Sequence, residues 1–146
     1  MVRNVAAGIL SCLLAACVSS TPSPSPTLSN RAVCAKLVDD FFAAWNAREA
    51  GRVAGLFTAE LAFHDSVGGR ARDLASRDDL QRYLTERFAL DDRFSGLTIS
   101  IPENPAPAAA NPTVSFVRTA GGTTYRGNAK IVCSGTVLIG VVMSAE

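Results

Sequence analysis

The segment 41–69 constrains the fold most, because a helical pattern of apolar residues changes to a strand pattern within it. Aromatic residues at positions 41, 42 and 45 share one side of a helix, so we predict a first helix over about 30–47. A short second helix is predicted over about 50–57. From Leu61 to Val67 the apolar side chains alternate, which predicts a strand that reverses at Gly68 and Gly69.

Asp65 is the carboxylate that this strand places on its apolar side. Side chains alternate along a strand, so Asp65 points the same way as Phe63, whereas His64 points the other way. We therefore predict that His64 lies at the surface or at an interface and forms no catalytic pair with Asp65. Two roles for Asp65 stay open: it caps the turn by accepting hydrogen bonds from backbone amides, or it is a functional acid in a pocket.

The rest of the pattern predicts helices on one side of a curved antiparallel sheet, which is an α+β fold. Ser76 opens a sequence that is typical of a capping box, and a third helix is predicted over 77–89. A meander of four strands should follow, at about 97–101, 113–120, 123–134 and 136–143. The prolines within 102–112 exclude that segment from the sheet.

Charge gives little indication of a partner. The net charge is +1, so we expect no nucleic acid, whose binding usually needs a strongly basic face. Five arginines at positions 70, 72, 77, 82 and 87 suggest an anion-binding patch. Acidic residues alternate with them, however, and this favours a hydrated surface.

The first 30 residues are predicted to target and tether the protein. Residues 1–16 combine Arg3 with an apolar run of about twelve residues, which is typical of a signal peptide and shorter than the roughly 20 residues that span a bilayer. The run ends in Leu-Ala-Ala-Cys, which resembles a bacterial lipobox with Cys17 as the lipidated residue. Ordinary secretion is the alternative. Residues 17–30, rich in Ser, Thr and Pro, would be a tether to one domain over 31–146.

Two cysteines remain in the predicted domain, Cys34 and Cys133. Each lies on the apolar side of its predicted element, and an exported protein meets an oxidising environment. We therefore predict a disulfide between them, with two separate buried thiols as the alternative. No Cys-x-x-Cys motif or histidine cluster accompanies them, so we expect no metal site and no cofactor.

This order of elements, together with the segment 41–69, resembles the NTF2-like superfamily and its SnoaL-like and ketosteroid isomerase group. The resemblance implies a cone whose curved sheet wraps the first helix around an apolar pocket, and dimers that form through the sheet. It implies a pocket lined by Phe41, Trp45, Phe63, Asp65 and Tyr125, although helical spacing favours a core position for Trp45 and a core position is also open for Tyr125.

The resemblance carries over only part of the isomerase machinery. The family's general base falls on Asp65, but its oxyanion-hole tyrosine falls on Phe41, which has no hydroxyl. The second oxyanion donor, an acid on a late strand, has no counterpart between Glu103 and Glu146. Each missing donor typically costs ~10²–10³ in rate, so ketosteroid isomerase chemistry is not expected.

We therefore expect a lipoprotein on the extracytoplasmic face of the cell membrane, anchored at Cys17 through acyl chains such as palmitate. Its first predicted function is non-catalytic binding of a small apolar ligand. One alternative is a SnoaL-like isomerase or cyclase with Asp65 as its catalytic base. The other is an interaction module that forms a homodimer or docks an envelope protein.

Overall fold

The computed structural model describes residues 30–102 and 111–146. The predicted signal peptide, the lipidation site at Cys17 and most of the proline-rich loop lie outside these residues. The elements in chain order are α1 (Asn30–Asn46), α2 (Ala50–Gly55), β1 (Phe57–Asp65), β2 (Arg72–Ser76), α3 (Arg77–Ala89), β3 (Arg93–Ser100), β4 (Thr113–Ala120), β5 (Thr123–Ser134) and β6 (Val137–Ala145).

The six strands form one sheet with the order β2-β1-β6-β5-β4-β3. Four of the five pairings are antiparallel, but β1 runs parallel to β6, so the sheet is mixed. The predicted antiparallel meander is correct for β3 to β6. The parallel pairing arises because the first strand inserts between its own hairpin partner and the last strand of the chain.

The edge strand β2 was not predicted from the sequence. Within Arg72–Ser76 every residue is exposed or half-buried, so the segment lacks the alternation that reveals a strand. It is nevertheless paired with β1 along its length, as at Phe63 and Leu74. The first strand also begins four residues earlier than predicted, at Phe57, which is fully buried.

Helix α1 packs its apolar side against the sheet, as its aromatic spacing predicts. Its buried residues are Cys34, Leu37, Val38, Phe41, Phe42, Ala44 and Trp45. Near the end of the helix, Asn46 fixes its position against the sheet. Its side-chain amide donates to the Phe94 carbonyl at 2.9 Å and accepts from the Phe94 amide at 2.8 Å. Asn46 thus makes the two hydrogen bonds to β3 that a neighbouring strand would otherwise make.

Helix α3 matches its predicted bounds, and its start is fixed by the predicted cap. The Ser76 hydroxyl accepts a hydrogen bond from the Asp79 amide at 3.2 Å, and it donates to the Asp79 carboxylate at 2.7 Å. These bonds to Ser76 are the largest cause of a lowered pKa of Asp79, and Arg82 adds to the effect. Among the described residues, no helix is long and apolar enough to cross a membrane.

The predicted disulfide between Cys34 and Cys133 is present, and it joins α1 to β5. Both cysteines are buried. The bond closes a loop with a sequence separation of 99 residues, so it ties the first helix to the central part of the sheet. A loop of about 100 residues gives up to ~4.7 kcal/mol of stabilisation in the chain-entropy model.

We predict that replacing both Cys34 and Cys133 with serine lowers the free energy of unfolding by about 2–5 kcal/mol, because the unfolded chain regains the entropy of an open loop. Urea unfolding followed by circular dichroism measures this. A reductant should destabilise the wild-type chain similarly and leave the double variant unchanged. Equal stability of the two proteins under oxidising conditions would contradict a structural role for the bond.

Candidate functional site

Asp65 ends β1 on the inner side of the sheet, and all the hydrogen bonds that surround it are made by protein groups. One carboxylate oxygen accepts from Arg118 Nη1 at 2.6 Å and from the Tyr83 hydroxyl at 2.5 Å. The other accepts from the Val67 amide at 2.8 Å, which is the predicted Asx turn. The turn role of Asp65 and a buried ionic role therefore coexist in one side chain.

Arg118 lies at the centre of this cluster, on β4. It is fully buried, and its guanidinium contacts two carboxylates from different parts of the chain. Nε and Nη2 donate to the two oxygens of Asp92 at 2.8 and 2.7 Å, a bidentate pair, while Nη1 donates to Asp65. Charge-assisted bonds of this geometry are the strong ones, so the guanidinium is rigidly placed.

The cluster extends through Asp92 to a second arginine. Arg87 Nε, at the end of α3, donates to Asp92 at 2.5 Å. The side chains of Asp65, Arg118, Asp92 and Arg87 thus form a buried chain of alternating charge, which we call the buried ion network. Its two carboxylates and two guanidiniums balance, and this balance is what allows four charges to leave water.

Aromatic rings enclose the network. The Arg118 guanidinium carbon lies 5.0 Å from the ring centre of Trp45 and 5.1 Å from that of Phe94, within cation–π range. Burial lowers the pKa of Arg118, but its hydrogen bonds to Asp92 and the charges of Asp65 and Asp92 outweigh this and raise the pKa. Burial, and next the charge of Asp65, raise the pKa of the Tyr83 phenol, so Tyr83 stays a proton donor.

The geometry around Asp65 determines whether this side chain can reach a substrate as a general base. A base must reach a proton on a bound substrate within hydrogen-bond distance. Asp65 is only 2 % exposed, and one of its oxygens already accepts from two donors. The ion pair with Arg118 occupies the space through which a substrate would approach that oxygen. In this arrangement both oxygens of Asp65 are engaged by Arg118, Tyr83 and the Val67 amide.

The residues predicted to line a pocket are brought together, but they fill the interior. Phe41 and Trp45 have no exposed surface and Phe63 is 2 % exposed, so solvent hardly contacts them. Phe41 and Trp45 contact each other, and Trp45 stacks on Phe63 at 6.4 Å. In this structure these bulky rings occupy the space between α1 and the sheet, and a ligand pocket lined by them stays a prediction.

Tyr125, the fifth predicted pocket residue, is half-buried and packs beside the turn that follows β1. A Cβ added to Gly68 would lie 2.7 Å from its ring, and Gly68 has a φ of +71°, so both space and backbone require glycine there. His64 lies on the outer side of β1, as predicted. Its Nδ1 is 2.7 Å from an Asp73 oxygen on β2.

Tyr83, Asp92 and Arg118 were not predicted as site residues, and Arg87 was considered only as part of a surface patch of arginines. The signal for Arg118 was present, because alternation along β4 places it on the same side as the buried Phe116 and Ala120. An arginine at an inward position requires a buried partner, and Asp65 was the one inward carboxylate identified. Asp92 lies in the connection after α3, where no periodic pattern predicts burial.

A surface cavity opens beside the network. Its volume is about 210 Å³. We call it the arginine cavity, and it is lined by Val67, Gly69, Arg70, Arg72, Tyr83, Glu86, Arg87 and Leu90. It lies between the turn that follows β1 and the end of α3. Among the described residues, no group of three histidine, cysteine or acidic side chains could hold a metal ion.

Comparisons with solved structures identify the fold. A candidate polyketide cyclase from Xanthomonas campestris pv. campestris aligns with a TM-score of 0.61 and 14% identity, over 79% of this chain and 91% of that one. An NTF2-like protein from Cytophaga hutchinsonii aligns with a TM-score of 0.59 and 11% identity, over 84% and 95%. This chain has the NTF2-like fold.

The yeast UBP3-associated protein BRE5 shares the NTF2-like fold with this chain, at a TM-score of 0.66 and 8% identity, over 82% of this chain and 98% of that one. No protein-family model and no curated protein sequence matches the chain. Identities this low establish a shared fold and no shared activity. The function must therefore be argued from the site itself.

We predict that Arg118→Met lowers the free energy of unfolding by about 3–5 kcal/mol, since it leaves Asp65 and Asp92 buried without their shared partner. Denaturant unfolding measures the loss. The matched control is Arg93→Met, whose pair with Asp91 is exposed and worth less than about 1 kcal/mol. Similar small losses in both variants would contradict a central role for the buried ion network.

Proposed function

We propose that this protein is a membrane-anchored, extracytoplasmic lipoprotein whose NTF2-like domain binds a small, largely apolar ligand without catalysis. The observation that carries the non-catalytic part is the state of Asp65, which is buried and held by Arg118, Tyr83 and the Val67 amide. The fold's potential base is thereby used as a structural group.

The proposed location rests on the N-terminal sequence. A charged start, a short apolar run and the ending Leu-Ala-Ala-Cys agree on one processing point before Cys17. Two or more acyl chains would give stable anchoring, where one gives only marginal binding. The disulfide between Cys34 and Cys133 is consistent with export, because such bonds persist in oxidising compartments.

The proposed ligand site is the arginine cavity, since the interior of the cone is filled by side chains. Val67, the Tyr83 ring and Leu90 supply apolar surface there. Leu90 is 47 % exposed, so it offers apolar surface for a ligand to cover. Drug-sized ligands occupy ~300–1,000 Å³, so a cavity of about 210 Å³ suits a smaller molecule.

We predict that Cys17→Ser releases the protein from the membrane, because serine has no thiol to accept the lipid. Expression in a bacterium that processes lipoproteins, metabolic labelling with palmitate and membrane fractionation measure this. Cys12→Ser is the matched control and should remain labelled and membrane-bound. Retention of label in Cys17→Ser would contradict the assignment of the anchor.

We predict that small neutral aromatic molecules such as benzamide bind the full-length protein in detergent micelles and that Leu90→Ala weakens them by roughly tenfold, because about 1.5 kcal/mol of apolar burial is lost. Ligand-observed NMR measures the affinity. Leu97→Ala, at another partly exposed leucine, is the matched control and should bind as the wild type does. Absence of binding to the wild type would overturn the proposed function.

The enzyme alternative requires Asp65 to act as a base. An isomerase or cyclase that uses it as a base would exchange solvent deuterium into a bound ketone, and Asp65→Asn would abolish the exchange. That result would overturn the non-catalytic proposal. For this exchange to occur, the Asp65 carboxylate would have to separate from Arg118, and that would disrupt the buried ion network.

A second candidate function is self-association through the outer face of the sheet. A groove of about 380 Å³ lies there, with apolar surface from Ala62, Val132 and Val142 on neighbouring strands. Val142 is 47 % exposed at the middle of the sheet. A stable homodimer in light scattering that Val142→Glu dissociates would favour this role, and a monomer would exclude it.

A further inference from the structure

We propose that the arginine cavity is specific for a small organic monoanion, a carboxylate attached to a short apolar body. This inference rests on the proposed function, because it names the class of ligand for the same site. It reverses the expectation that the arginines near α3 form only a hydrated surface.

The first observation is an unpaired donor in the cavity wall. Arg87 lines the cavity and is 9 % exposed, yet its Nη2 has no hydrogen-bond partner among the described residues. A charged donor that is buried without a partner is more costly than a neutral one. Its Nε is fixed by Asp92, so the guanidinium cannot turn away to find another partner. Because this nitrogen is itself buried, a ligand oxygen reaches it only if the cavity wall shifts slightly, and the unmet hydrogen bond favours such a shift.

The second observation is the charge around the cavity. Three arginines and one glutamate line it, and two of the arginines have acidic partners. Arg87 pairs with Asp92 at 2.5 Å, and Arg72 lies 3.7 Å from Glu86. Arg70 is exposed and has no ion-pair or hydrogen-bond partner in the described part of the chain. One uncompensated positive charge matches one negative charge on a ligand.

The positions of the arginines explain why the sequence pattern misled. Arg70 and Arg72 come from the turn after β1 and the start of β2, whereas Arg87 comes from the end of α3. Of the acids that alternate with arginines along α3, Glu86 lines the cavity and pairs with Arg72, which leaves Arg70 uncompensated. The space beside Gly69 is open, since a Cβ added there would meet no atom within 4 Å.

The remaining wall selects an organic anion over an inorganic one. Val67, Leu90 and the Tyr83 ring face the same cavity as the arginines. An inorganic ion would leave this apolar surface exposed to water, whereas an aromatic or short aliphatic carboxylate would bury it. The planar guanidinium favours carboxylate geometry, and the single free charge favours a monoanion over phosphate. Benzoate meets these requirements and serves as the probe.

Calorimetric titration of the full-length protein in detergent micelles tests the inference, with benzoate, neutral benzamide and inorganic phosphate as probes. We expect benzoate to bind at least tenfold more tightly than benzamide, and phosphate to bind more weakly than both. Arg70→Gln should reduce benzoate to the affinity of benzamide and leave benzamide unchanged. Arg126→Gln, at an exposed arginine of β5, is the matched control and should bind all probes as the wild type does.

The outcomes separate this inference from the proposed function. Equal affinity for benzoate and benzamide would overturn the anion specificity and leave ligand binding in place. If neither benzoate nor benzamide bound, both the anion specificity and the proposed function would be overturned. If phosphate bound as tightly as benzoate, the preference for an organic anion would be contradicted. If benzoate affinity were unchanged in Arg70→Gln, binding in the arginine cavity would be contradicted.

Discussion

The pairing of one buried arginine with two buried carboxylates is the interaction on which the interior of this protein depends. Arg118 on β4 contacts Asp65 at the end of β1 and Asp92 in the connection after α3. Each charge would be prohibitively costly to bury alone, since the effective penalty is several kcal/mol per ion. Because the three side chains come from distant parts of the chain, the charges are compensated only when the whole fold is assembled.

The same interaction limits what the fold can do. In an NTF2-like cone, the space between the first helix and the sheet is where a pocket was expected. Here Phe41, Trp45 and Phe63 fill that space and cover the network, and Asp65 has become part of the packing. The proposed ligand site therefore lies at the edge of the network, where Arg87 has both a buried ion pair and an unpaired donor.

The elements with strong periodicity were predictable from the sequence. The aromatic spacing of α1, the cap at Ser76 and the alternation along β5 gave bounds close to those observed, and the two buried cysteines predicted their bond. The edge strand β2 and the parallel pairing of β1 with β6 were not predictable, because they depend on partners that no local pattern encodes. The site was partly predictable: Asp65 was identified as inward-facing, but its partners Arg118 and Tyr83, and the second carboxylate Asp92, are brought together only by the three-dimensional fold.

Hydrogen exchange of the arginine side chains, followed by NMR, tests the central claim most directly. The Arg118 guanidinium protons should exchange with solvent only as fast as the protein unfolds globally, because every donor nitrogen is buried and bonded. Exposed Arg126 provides the reference for rapid exchange in the same spectrum. Exchange of Arg118 as rapid as that of Arg126 in the folded protein would show an open interior and contradict the account.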